Sequence, residues 1–327
     1  MSVEYAYARI RGRRAKLLTP IEMETLIRED LENMENALKD TKYGKYLPKV
    51  GEKGGISKLL NAVNLAFIDE LEKVKKILSD DGNLLYSLET YLARWDLQNF
   101  ITIVRGKFYS HPEEEILRAL LPIGILDEIR LRDLMKEEDA YSVAERVKVI
   151  VKGLPFEITR ESLKYLKAGE LAKFEYGVYT SFYHNILSRD VHPSVKDFYK
   201  FSIDAKNLSL AFISLQYGER PSLWIEGGYL SGSLKIKVLQ CETVEDLQRV
   251  ISEHIGLKGV ALENIDTIFE RKFFGSVLRD FRRDPVSFYS VLQYLNELER
   301  EVITLRTIIY AKSFGLSPEQ IKEVLYV

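Results

Sequence analysis

Four groups of residues have types and spacings that could do chemistry. The stretch Lys49 to Lys58 reads KVGEKGGISK and invites a phosphate-cradling loop. Such a loop needs its lysine directly after the last glycine, at the start of a helix that follows a strand. Here the residue after Gly55 is Ile56, the glycines fall at 51, 54 and 55, and no strand pattern precedes them. A turn between helices accounts for the stretch, and nucleotide hydrolysis is not expected.

The acids Asp96, Asp204 and Glu301, with Asn99 and Asn207, could form a composite carboxylate site for acid–base work. Their recurrence in equivalent places argues for bonds to local backbone or to a neighbouring helix instead. The histidines His111, His184, His192 and His254 are scattered, with no HExxH or CxxC motif, so surface or loop positions are expected. No G-x-S-x-G elbow is present. The basic run RIRGRRAK, Arg9 to Lys16, is the best nucleic-acid or lipid-headgroup candidate, with Arg9, Arg13 and Lys16 on one helical face. Glu22, Glu24, Glu29, Asp30, Glu32 and Glu35 follow at once and should cancel much of its field.

The elements that must position these residues follow from composition and periodicity. The 327 residues are 46% hydrophobic and 29% charged, enough for a real core under a charged surface. Formal net charge is −2, from 47 basic and 49 acidic residues, which argues against a nucleic-acid binder. Cys241 is the single cysteine, so no intrachain disulfide can form, and a reducing cytoplasmic compartment fits. The arginines from Arg9 to Arg14 interrupt any signal peptide, and no run of 18 apolar residues exists. Membrane association is therefore expected to be peripheral, through a partner. Nine prolines, nineteen glycines and the lack of strict alternation predict an all-helical chain.

One apolar stripe recurs three times. Ala93, Leu97, Phe100 and Val104 align without gaps with Phe201, Ala205, Leu208 and Phe212. Leu298, Val302, Leu305 and Ile309 make the third copy, all at spacings of four, three and four. After the first two stripes come LPIGILDEIRLRDLM from Leu121 and IEGGYLSGSLKIKVL from Ile225, then helices read as capped by Ser142 and Thr243. TPIEMETLI has the same logic, with Thr19 as cap and Pro20 at the first helical position. Ile56, Leu59, Leu60, Val63, Phe67, Leu71, Val74 and Leu78 form a further stripe, with Glu70, Glu72, Lys73, Lys75 and Lys76 read as its solvated face. Units of about a hundred residues predict three similar helical domains, at 1–125, 126–230 and 231–327, in a three-lobed body with pseudo-threefold symmetry.

The opening YAYARIRGRRAKLLTPIEMETLI, then LKDTKYGKYL, WDLQNFITIVRGK and EREVITLRTIIYAKSFGLSPEQIKEVL, resemble in that order the C-subunit family of A-type (archaeal-type) ATP synthases. The d subunit of the vacuolar ATPase is its eukaryotic relative. The resemblance covers the whole chain and implies a funnel-like, three-domain helical body in the rotor. It further implies partners, namely the membrane proteolipid ring and the D and F subunits of the central axle, at the cytoplasmic face of the membrane. It transfers no catalytic, cofactor-binding or metal residue, and none is nominated. The alternatives are a helical scaffold in an unrelated complex, an enzyme built on Asp96 and Asp204, and a nucleic-acid module resting on Arg9 to Lys16.

Overall fold

The computed structural model describes residues 3–49, 55–257 and 261–326, and every regular element among them is helical. The chain divides into two compact units. One, the terminal unit, joins residues 1–85 to 277–327, and the other, the mid-chain unit, holds 86–276.

The terminal unit opens with α1 (Val3–Arg14), α2 (Pro20–Arg28) and α3 (Leu31–Lys39), then a short 3-10 turn and α4 (Ile56–Leu78). Thr19 caps α2 as expected, in a reciprocal pair with Glu22 and with Pro20 at the first helical position. The stripe on α4 is buried from Leu59 to Leu78. Glu70 is not on its solvated face but buried among these residues. It lies three residues from Phe67 and four from Val74, so helix geometry aims it inward with them.

The chain crosses to the mid-chain unit in α5 (Gly82–Leu92) and continues through α6 (Arg94–Phe108), α7 (Glu113–Ala119), α8 (Glu128–Met135) and α9 (Ala140–Ile150). Then come α10 (Arg160–Lys167), α11 (Leu171–Ser188), α12 (Pro193–Gln216), α13 (Ser233–Leu239) and α14 (Val244–His254). The return is in α15 (Ile265–Arg283), and α16 (Phe288–Ser313) and α17 (Pro318–Tyr326) complete the terminal unit. The start of α9 corrects the sequence reading. Asp139, not Ser142, is its cap, and its carboxylate accepts the Ser142 N–H at 2.7 Å. Aspartate caps at least as well as serine, so the helix starts three residues earlier. Thr243 does cap α14.

The three aligned stripes lie on α6, α12 and α16, and all their residues are buried except half-buried Phe201. In the mid-chain unit α6 lies against α7, α8, α9 and α11, while α12 lies against α11, α13 and α14. Ala205, Leu208 and Phe212 share one core with Leu247 and Ile251 of α14. In the terminal unit α16 lies against α1, α3, α4 and α17, and α17 against α2.

Candidate functional site

Each long stripe helix carries a buried carboxylate turned onto backbone. On α6, Asp96 accepts the Leu126 N–H at 2.7 Å. One turn on, Asn99 accepts from the Leu121 N–H at 3.0 Å and donates to the Leu121 carbonyl at 2.5 Å. On α12 the arrangement repeats. Asp204 accepts from Leu230 at 3.0 Å and Tyr229 at 3.1 Å, and Asn207 holds both backbone groups of Ile225 at 2.7 and 2.8 Å. An amide side chain pairs with a peptide unit in this two-bond fashion because it offers one donor and one acceptor side by side.

Glycine makes room for the carboxylates. A Cβ on Gly124 would lie 2.5 Å from an Asp96 oxygen, and one on Gly228 would lie 2.1 Å from Asp204. Gly124 also has φ +94°, a conformation that favours glycine. Burial pushes the Asp204 carboxyl up to about 6, against the pull of the Leu230 and Tyr229 N–H groups and the Lys272 charge.

On α16, Glu301 stands where the other helices have aspartate, and it reaches toward the N-terminal end of the chain. It accepts from the Leu18 N–H and the Tyr43 hydroxyl, each at 2.5 Å, and pairs with Lys42 at 2.6 Å. Burial and the adjacent Glu301 charge raise the Tyr43 phenol well above its ordinary range. Thr304 stands where Asn99 and Asn207 stand, so this clamp lacks its amide.

Behind each clamp comes the same pair of helices. Leu18 precedes α2 and α3, Leu126 precedes α8 and α9, and Leu230 precedes α13 and α14. The first helix of each pair presents an aliphatic side chain to solvent. Ile21 is 80% exposed and Ile129 79%, each the second residue of its helix, while α13 turns Ile236 outward at 55%.

The remaining candidates are structural or superficial. Of the basic cluster, Arg13 forms a two-bond pair with Glu70 at 2.8 and 2.7 Å, and Tyr294 also donates to Glu70 at 3.0 Å. Burial alone would push the Glu70 carboxyl up, but Lys73 and Arg13 hold it below the usual range. Arg14 pairs with Glu297. Arg13 and Arg14 thus pair with Glu70 and Glu297 rather than with the run from Glu22 to Glu35, and Lys16 lies past the end of α1, lining the same cavity as Glu22. His192 caps α12 through its ring, and burial lowers its pKa, whereas His111, His184 and His254 are exposed. Of the glycine-rich stretch, Val50 to Gly54 lie outside the described residues, and Gly55 precedes α4 with φ +95°.

Each unit also has a cavity, and that of the terminal unit lies against the Glu301 clamp, lined by its partners Leu18 and Lys42. The mid-chain unit has one of about 470 Å³, walled by Phe198, Phe201, Phe269 and Phe273 with Arg94 and Lys206 at its polar edge. The terminal unit has one of about 500 Å³ beside Arg13, Lys16, Lys42 and Glu70. Among the described residues no group of three or more His, Cys, Asp or Glu side chains could hold a metal ion. No helix among them is long and apolar enough to cross a membrane.

The fold is a helical body whose long helices tie buried acids to backbone, and residues 6–324 match the ATP synthase (C/AC39) subunit family, to which the chain belongs. It is similar to the A-type ATP synthase C subunit of Archaeoglobus fulgidus, 24% identical over 338 residues that cover 99% of this chain and 96% of the relative. The corresponding A-type ATP synthase C subunit of Methanosarcina acetivorans is 26% identical, over 99% of this chain and 92% of its own length. That of Pyrococcus abyssi is 27% identical, over 98% and 89%.

Proposed function

We propose that this chain is a non-catalytic rotor component of an A/V-type ATP synthase, linking the membrane proteolipid ring to the D and F subunits of the central axle. It sits peripherally on the cytoplasmic face of the membrane, held there by its partners, and carries torque during ion-driven ATP synthesis. The single observation behind this reading is the clamp. A long helix fixes, through a buried carboxylate and backbone N–H groups, the start of a short helix that shows an aliphatic side chain to solvent. Torque needs such fixed docking elements and needs no reactive group. A ring of identical protomers offers repeated apolar contacts that three like elements can engage.

In this reading the three stripes mark an internal triplication with pseudo-threefold symmetry, and the body is funnel-shaped. Domains at 1–125, 126–230 and 231–327 are its linear partition. The Glu301 bond to Leu18 supports a further refinement, in which the third copy begins in α16 and is completed by α2 and α3.

The test is a pull-down from membranes with the tagged chain as bait, at low and high salt. Recovery of the proteolipid ring with axle proteins is the expected result. Recovery of soluble partners alone, from membranes that contain an intact synthase, would sink the rotor reading in favour of a general scaffold.

A further inference from the structure

The long helix α12 starts on a residue that changes charge near neutrality. Its cap is His192, whose ring Nδ1 accepts the Ser194 N–H at 3.3 Å. Pro193 has no N–H, so the Ser194 group is the first donor that the helix presents. Ser194 is buried, and its hydroxyl lies 2.6 Å from the same ring nitrogen. A nitrogen that accepts from an N–H carries no proton, so the imidazole is neutral with its hydrogen on Nε2. Thr19, Asp139 and Thr243 cap their helices with oxygens, which go on accepting in mild acid. Imidazole does not.

The same residue holds α12 to α5. The His192 N–H donates to the Ser87 Oγ at 2.9 Å, and Arg189 donates to the Thr90 Oγ at 3.2 Å. Further into α12 the Tyr199 hydroxyl reaches the Thr90 carbonyl at 2.7 Å and that of Tyr91 at 3.1 Å. From α5 the buried, neutral Ser87 and Thr90 face this junction, and Glu89, the only charged residue of that helix, is exposed. Along the chain beside the ring stand Arg189, Asp190, Lys196 and Asp197, and the Tyr229 hydroxyl bonds Asp197 from the loop before α13. Asp197 favours a charged ring, but burial outweighs it and holds the imidazole below the usual 6.5. A proton on Nδ1 turns that atom into a donor facing the Ser194 N–H. It also sets a cation at the positive end of the helix.

We propose that His192 is an acid-opened latch, whose protonation at Nδ1 releases the first turn of α12 and loosens its hold on α5. The latch is a property of the chain alone and does not depend on the rotor reading. The folded ring binds its proton less tightly than the unfolded chain does. Its contribution is therefore complete above pH 6.5 and is lost as pH falls through the lower, folded value. Asp204 lies on the same helix, but its folded pKa is raised, so acid stabilises its clamp and cannot imitate this loss. The test is hydrogen exchange of the full-length chain, corrected for intrinsic rates, from about pH 7.5 to about pH 4.5. Peptides over 194–199 and 86–92 should lose about fivefold in protection at the acid end, relative to the middle of α12. His192→Asn, a cap that does not titrate, should keep its protection throughout, and His192→Ala should lack it at both ends. Protection that stays constant with pH in the parent overturns the latch, and so does a parent-like loss in His192→Asn. Nitrogen NMR of the ring gives a second reading on the parent alone. A proton on Nε2 at neutral pH supports the latch, and one on Nδ1 overturns it.

Discussion

Asp204 holds the downstream turn by accepting two N–H groups, and burial makes its charge costly. Its folded pKa, about 6, lies above the ordinary 3.8, so the folded state binds the proton more tightly than the unfolded chain does. The stability from this group is therefore fully present below pH 4 and is lost as pH rises to 6, by about 3 kcal/mol, with no further change above. Asp204→Asn cannot ionise and cannot accept at both positions. Urea unfolding of the two chains at intervals from pH 4 to 7 should show the parent's advantage shrinking as pH rises, and a constant difference would refute the assignment. The neighbouring Gly228 gives a second prediction. Gly228→Ala puts a methyl 2.1 Å from Asp204 and should cost about 2–3 kcal/mol. Gly12→Ala, in α1 with nothing within 4 Å of the new methyl, should gain about 0.5–1 kcal/mol. The D-x-x-N spacing in the sequence revealed these clamp residues, and their bonding to backbone follows from recurrence. Their exact partners, 18 to 30 residues downstream, depend on how the loop folds back and have no local signature.

Helix starts and ends were only partly readable from residue type. Thr19 and Thr243 announce their helices, but in the run Asp139-Ala-Tyr-Ser142 two good caps compete three positions apart. Asp139→Ala should lower stability by about 1 kcal/mol, and Ser142→Ala by no more than a few tenths, in parallel thermal melts. Equal losses would restore serine as the cap. Reading Glu70 as solvated lets its charge outweigh its position. Its place between Phe67 and Val74 was itself the signal that it points inward, and Arg13 and Tyr294 supply the partners that make this tolerable.

For the whole molecule, the helical class and the buried stripes were legible because periods of three and four recur over long stretches. The joining of residues 1–85 to 277–327 in one unit was not, since Glu301 to Leu18 and Lys322 to Glu24 are contacts that periodicity cannot report. A chain ending at Leu316 loses α17, including fully buried Ile321 and the 2.6 Å pair from Lys322 to Glu24. Limited proteolysis should then cut within α1 to α3 well before it cuts the mid-chain helices. Unchanged protection of the first 40 residues would show that α17 contributes nothing to them.

That closure of the two ends has a consequence for synthesis on the ribosome. Translation delivers α1 to α4 first and their partner α16 last, with about 190 residues of the other unit between. At about 5–20 residues per second the interval is roughly 10–40 s. Throughout it Leu26, Ile27, Tyr43 and the α4 stripe, all buried in the finished protein, await their cover. The N-terminal helices are therefore the segment in which a nascent chain is most exposed to misassembly, and the place where a chaperone that recognises apolar stripes would engage first.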